Sequence, residues 1–285
     1  MEPGGFAPIV EYKVEGGGLT GTAVVAASRL GARTKMLGRI GDDDVGDRIA
    51  EGLEAEGVDT SGLIRVEGGK SYFSIIHVDA DTAERTIYGR ADTDIECSTD
   101  LIPLEALEGA DALLLDPHWP EGTRVVAKRA RELGIPIVLD IFIRPEVLDI
   151  LAMCDYPVIP RKSALKFAGT QDYSQALAKI RSLGPRAAVI TCGPDGAYYA
   201  DETSEGHVEA FPVEAVDTTG AGDVFHGAVA FGLTQGWDLR EVVTFASAVS
   251  AIKCTKVGGR TGIPTFEQTV AFLAERGVSL PFLVF

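Results

Sequence analysis

Short apolar runs alternate with amphipathic segments of helical period from about residue 19 to the end of the chain, and this alternation restricts the fold more than any other feature. Residues 19–30 are Ala-rich and predict a helix, residues 35–40 a strand, and residues 42–56 a second helix. In that helix Val45, Ile49 and Leu53 share one face, acids crowd the start and Gly57 supplies the stop. The cycle repeats with a strand over 112–115, a helix over 121–133 and a strand over 136–141, with Gly134 between helix and strand. It continues with a strand over 187–191 and helices over 223–233, 239–253 and 266–276. Buried strands alternating with helices predict a mostly parallel central sheet covered on both faces, a three-layer α/β/α body.

Two stretches break the cycle. Residues 9–15 (IVEYKVE) alternate apolar and charged side chains, and residues 71–78 with 85–88 read as a hairpin turning over 79–84. Strands with one wet face suit a small accessory sheet. The chain of 285 residues is therefore expected to form a body from 19–70 and 91–285, with a discontinuous β lid from 9–18 and 71–90.

Charge narrows the partners. With 26 Lys and Arg against 42 Asp and Glu, the net charge is -16 and no basic stretch exists to follow a phosphate backbone, so nucleic acid and anionic membrane are excluded as partners. Cys97, Cys154, Cys192 and Cys254 lie too far apart in sequence for a CxxC zinc site and read as free thiols of a reducing compartment. The first residues have neither a basic nor an apolar leader region, and no apolar run approaches the ~20 residues that span a bilayer. The expectation is a cytoplasmic protein.

The 33 glycines exceed an average content of about 7%, and a group of them carries the chemistry. Asp217-Thr218-Thr219-Gly220-Ala221-Gly222-Asp223 runs into an apolar helical segment, Val224-Phe225-His226-Gly227-Ala228. A Gly-Ala-Gly turn opening a helix leaves amide N–H groups bare at the positive end of the helix dipole, which is an anion site. Asp223 in that first turn is either a helix cap or the base that takes a proton from a hydroxyl beside a bound phosphate, and the paired glycines favour the base.

With these residues in hand, the chain resembles the ribokinase-like, or phosphofructokinase B type, carbohydrate kinases, whose Asp-Thr-x-Gly-Ala-Gly-Asp hallmark stands at residues 217–223. Further blocks match in order: Gly17-Gly18 with the Ala26-Ala27-Ser28 helix, Gly38-Arg39-Ile40-Gly41-Asp42-Asp43, Thr191-Cys192-Gly193-Pro194-Asp195-Gly196, and Lys253-Cys254-Thr255-Lys256-Val257-Gly258-Gly259-Arg260. The resemblance implies an ATP-dependent kinase acting on a sugar hydroxyl. Asp223 would be the base, and the amides of Gly220, Ala221 and Gly222 would hold the developing phosphate charge. It implies ATP along Thr191, Gly193, Gly196 and Ser247, and a sugar at Gly17, Gly18, Thr22, His118 and Asp223. It also implies Mg²⁺, a monovalent cation such as K⁺ on backbone oxygens of Asp217, Thr219, Cys254 and Gly259, and a homodimer formed through the lid.

The chain departs from the family in four places. No Asp precedes Gly17 where relatives carry a sugar-binding Asp on an opening strand, and the common Asn of the Gly-Gly block falls at Thr22. The Asn-x-x-Glu linked to magnesium falls at Arg161, Lys162, Ser163 and Ala164, which leaves the metal's ligands open. His118 stands where relatives have a sugar-binding Glu. With DVFHGA and the 253–260 loop, it makes the chain similar to the branch that includes sulfofructose kinases. An anionic substrate would call for cations such as Arg90, Arg144 or Arg161, which otherwise read as solvated surface arginines.

Two other classes compete. Gly16-Gly17-Gly18-Leu19-Thr20-Gly21 fits a dinucleotide fingerprint with acids at 42–44, but the charged run before it does not suit a strand buried on both faces. A Walker A loop is absent. The remaining alternative is a catalytically impaired sugar-binding or sensor protein that kept the fold.

Overall fold

The computed structural model describes residues 6, 8–78, 85–90, 95–278 and 280. Helix α1 (Leu19–Arg29), strand β1 (Lys35–Gly41), helix α2 (Asp44–Glu54) and strand β2 (Asp59–Val66) lead to a hairpin of β3 (Ser74–Val78) and β4 (Arg85–Gly89). The central part runs β5 (Leu113–Leu115), α3 (Pro120–Leu133), β6 (Ile137–Asp140), α4 (Leu148–Met153), β7 (Tyr156–Pro160), α5 (Arg161–Ala168), α6 (Tyr173–Arg181), β8 (Ala188–Thr191), β9 (Ala197–Ala200) and β10 (Glu205–Val208). Helices α7 (Ala221–Thr234), α8 (Leu239–Lys253) and α9 (Phe266–Glu275) complete the chain.

The main sheet has six strands in the order β10-β9-β8-β7-β6-β5, parallel from β5 to β8, with β9 and β10 antiparallel at one end. Its two faces are apolar because successive residues of a strand point to opposite sides. Val138, Val158 and Val189 pack with Val224, Val229 and Phe245 beneath α7 and α8. Ile137, Leu139, Ile159 and Ile190 pack with Val126, Leu151 and Leu177 of α3, α4 and α6. The parallel, doubly covered sheet expected from the sequence is thus present. Helix ends follow local chemistry: α3 opens on Pro120 and stops at Gly134, whose φ of 72° suits glycine. Asp238 and Glu241 form a reciprocal cap on α8.

Two expectations need correction. Residues 9–15 carry no strand: they run exposed, with no neighbouring strand to complete a ladder, and are held instead by Glu15 on Thr261 and by Lys13 Nζ on Val257 O at 3.1 Å. Among the described residues strand β1 pairs only with β2, in a separate parallel two-stranded sheet, and does not enter the main one. A cavity of about 920 Å³ opens instead between β1 and β5, lined by Met36, Leu37, Leu113 and Leu114 with Ala23 and Ala27 of α1. The dinucleotide outline, already disfavoured by its charged run, finds no strand over residues 8–15, and Asp43 is the N-cap of α2, accepting from Gly46 N at 2.9 Å.

The β3–β4 hairpin is antiparallel, and its expected turn over 79–84 lies outside the described residues. Ser71 ties the hairpin to the body: its Oγ accepts from Gly41 N at 2.7 Å and its amide donates to Asp43 at 3.0 Å. All four cysteines are free; Cys97 is half-buried and the others buried. Among the described residues no helix is long and apolar enough to cross a membrane.

Candidate active site

The turn before α7 is built by hydrogen bonds from both sides. Asp217 Oδ1 accepts from Thr219 N and Oδ2 from Gly258 N, each at 2.8 Å, so one carboxylate joins the 217–220 turn to the 254–260 loop. Burial pushes the Asp217 pKa up, but these amides and the nearby Lys253 charge outweigh it and hold the carboxyl below its ordinary value. Gly220 then takes φ 76°, and a Cβ there would also stand 2.8 Å from the Gly259 carbonyl oxygen.

Helix α7 opens on three amides, Gly220, Gly222 and Asp223, that meet no acceptor among the described residues. The amide of Ala221, expected among the anion-binding groups, donates instead to Thr218 O at 3.2 Å, so Asp223's own N–H replaces it. A Cβ built on Gly222 meets nothing within 4 Å, leaving open space in front of these donors. They form a positive, concave end of a helix, fit for a phosphate.

Asp223 is half-buried on that first turn. Burial first, and then the carboxylates of Asp140 and Asp116, push its pKa up to about 7, while His226 and Lys253 act in the opposite direction. Asp140, at the end of β6, is itself raised, chiefly by burial and further by Asp116. His226 closes the cluster from within α7: Nδ1 lies 2.6 Å from Gly222 O, and Nε2 lies 3.1 Å from Val158 O and 3.4 Å from Asp140 Oδ1. Carboxylates at the ends of parallel strands facing a helix N-terminus are where open α/β sheets place their ligands.

Asp116, just beyond β5, accepts from Thr20 N at 3.4 Å, from Thr20 Oγ1, from His118 N at 2.9 Å and from His118 Nδ1 at 2.8 Å. Burial raises its pKa, yet the hydrogen bonds prevail and leave it lowered. Donating to Asp116 raises the pKa of His118, whose side chain is 73% exposed. Thr20, Asp116, His118 and Trp119 form one end of the cavity, where Arg39 stacks 4.6 Å over Trp119. Thr20 was not singled out from the sequence, because its partner lies 96 positions away.

The other expected sugar residues lie nearby, just before and within the first turn of α1. Gly18 is its N-cap, and Arg260 Nη2 donates to Gly17 O at 3.0 Å and Gly21 O at 2.8 Å. Thr22 is 2% exposed.

Where the nucleotide is expected, Thr191 ends β8 and a tight turn follows, with Gly193 at φ 59° and Gly196 at φ 83°. Ser247 on α8 donates its hydroxyl to Val243 O at 2.8 Å. At the start of α5, Arg161 pairs with Asp195 at 2.6 Å and Ser163 Oγ accepts from Ile143 N at 2.8 Å. This position is cationic and does not fit a magnesium ion. Among the described residues no three His, Cys, Asp or Glu side chains gather as a metal site.

Two of the four expected monovalent cation ligands are already engaged by the chain itself. Asp217 O already accepts Lys253 Nζ at 2.8 Å, and Cys254 O accepts from Val216 N at 2.8 Å and Asp217 N at 3.1 Å.

Comparison with known proteins agrees with this geometry. The model of the pfkB family of carbohydrate kinases matches residues 9–266. A ribokinase of Bacillus subtilis is 33% identical over 263 residues, covering 90% of this chain and 87% of its own. A solved ribokinase of Thermotoga maritima superposes with a TM-score of 0.82 at 29% identity, covering 96% of this chain and 92% of its own. An Arabidopsis thaliana ribokinase solved with ribose and ATP gives a TM-score of 0.79 at 25% identity, covering 90% of this chain and 87% of its own.

Proposed function

The chain belongs to the pfkB family of carbohydrate kinases, and from that premise we propose that it moves the γ-phosphoryl group of ATP onto a hydroxyl of ribose or a ribose derivative, with Asp223 as general base. That it is an ATP-dependent sugar kinase follows from family membership. The substrate class rests on the ribokinases among its relatives and on an aminoimidazole riboside kinase of Salmonella typhimurium that is 28% identical over 92% of this chain.

One observation carries the catalytic assignment: the unengaged amides of Gly220, Gly222 and Asp223 stand on the same turn as a carboxyl whose pKa is pushed up to about 7. A base of that strength is half ionised near neutrality and takes a hydroxyl proton more readily than an ordinary aspartate. ATP supplies the phosphoryl group, and its magnesium supplies charge neutralisation on the phosphates. The amides and dipole of α7 stabilise charge on the transferring group. Thr20, Asp116 and His118 orient the sugar: Asp116 is held by Thr20 and in turn fixes the His118 ring, leaving Nε2 to face the ligand. Thr191, Gly193, Gly196 and Ser247 border the nucleotide, and Gly17 and Gly18 the sugar, whereas Thr22 is too buried to touch it.

The hairpin serves as lid and as dimer contact in this proposal. Tyr72, Phe73, Ile75, Ile76, Ile87 and Tyr88 are 42 to 62% exposed, and the pairs Ile75–Tyr88 and Ile76–Ile87 put apolar side chains on both faces. One face suffices to cover a sugar, which leaves the other for a second copy. The test is an ATP-consumption screen over a panel of pentoses, hexoses and nucleosides. A ribose-type acceptor should be phosphorylated by the wild type and not by Asp223→Asn; a hexose acceptor alone would overturn the substrate class.

A further inference from the structure

Lys253, the last residue of α8, is 0% exposed and sits at the junction of the two loops that would enclose a monovalent cation in this family. Its Nζ donates to Asp217 O at 2.8 Å. The residue after it, Cys254, has its carbonyl filled by the amides of Val216 and Asp217. The loop folds back tightly here, since a Cβ on Gly262 would collide with the Lys253 carbonyl oxygen. Two of the four oxygens expected to bind a cation are thus already satisfied by the chain itself.

An ammonium group and a potassium ion do similar work among backbone oxygens. Each is a compact positive charge, and the lysine carries three N–H donors in place of a coordination shell. A charge buried this deeply persists only if its surroundings compensate it. Here it compensates them too, since its Nζ sits on Asp217 O in the turn that leads to Asp223. It therefore fixes the 217–220 turn and offsets negative charge beside the anion site, the two services a bound cation would perform.

We propose that Lys253 takes the place of the monovalent cation, so that phosphoryl transfer by this chain needs no potassium. The catalytic arm of this inference rests on the kinase reading above; the stability arm does not. Wild type and Lys253→Ala are compared in potassium chloride and in choline chloride at equal ionic strength, by initial rate and by thermal melting without substrates.

The wild type should change rate by less than about twofold between the salts and keep one melting temperature. Lys253→Ala should be slowed about tenfold or more in choline and recover in potassium, with potassium also raising its melting temperature. A lysine that only caps the C-terminus of α8 would give a destabilised variant that responds to both salts alike, and that result overturns the proposal. So does a wild type that requires potassium or melts higher in it. If Lys253→Ala does not fold, the wild-type pair of measurements decides. If no sugar is phosphorylated under any condition, the kinase reading fails and the melting data alone decide this inference.

Discussion

Asp140 Oδ1 stands 3.4 Å from His226 Nε2, and both side chains act on Asp223 with opposite sign. Asp140 raises the Asp223 pKa and His226 lowers it, each adjusting a shift that burial dominates.

His226→Gln should therefore move the acid limb of kcat/KM to higher pH. Asp223 would ionise above its present value of about 7, and the loss should be about three- to tenfold larger at pH near 6.5 than near 8.5. Asp140→Asn should move the limb the other way. Two pH profiles check this, and a pH-independent loss in His226→Gln would mean that the ring serves packing alone.

Asp223 also costs the fold stability. Its pKa is raised from 3.8 to about 7 on folding, so the native state holds the proton more tightly than the unfolded chain. The sign follows: full stability exists below the unfolded value and is lost as pH rises towards the folded one. Asp223→Asn should gain stability over wild type, growing between roughly pH 4 and 7 to a few kcal/mol and level above that. Urea unfolding at several pH values measures the gain; a constant difference would contradict the raised pKa.

Two glycines of α7 should separate fold from chemistry. Gly227 packs so closely on Ala23 O that a Cβ would collide with it, so Gly227→Ala should cost about 1 to 3 kcal/mol by forcing α1 from α7. A Cβ on Gly222 meets nothing within 4 Å, so Gly222→Ala should keep or slightly raise the melting temperature, since alanine favours helix by up to about 1 kcal/mol. The same methyl would intrude on the anion site and should lower kcat/KM for ATP about tenfold or more. Melting curves and ATP kinetics on the two variants distinguish these outcomes.

Thr20→Val removes a donor from Asp116 and should raise the KM for sugar several-fold, roughly a 1 kcal/mol effect, while the KM for ATP stays unchanged. An equal rise in both would show that Thr20 supports the whole site and not the sugar end.

What could be read from the sequence was local. The unengaged amides at the start of α7 were legible because bare amides at a helix start need glycine, and the parallel sheet because strands such as Ile137–Asp140 and Ala188–Thr191 are apolar on both faces. The Thr20–Asp116 and Lys253–Asp217 contacts were not, because they join residues 96 and 36 positions apart. Residues 9–15 misled because alternation promises a strand only where a neighbouring strand can pair with it. Ala221 misled because a backbone turn, invisible in composition, diverts its N–H to Thr218.

Phosphoryl transfer to ribose by wild type and Asp223→Asn, followed by mass spectrometry of the sugar with nucleotide binding measured in parallel, tests the central claim most directly. The account predicts phosphorylated sugar from the wild type, none from the variant, and nucleotide affinity nearly equal in the two, because the amide keeps the shape of the carboxylate but cannot take the proton. Turnover by Asp223→Asn at the wild-type rate would contradict the assignment of the base. A wild type that binds sugar and nucleotide yet transfers nothing would make the chain a sensor.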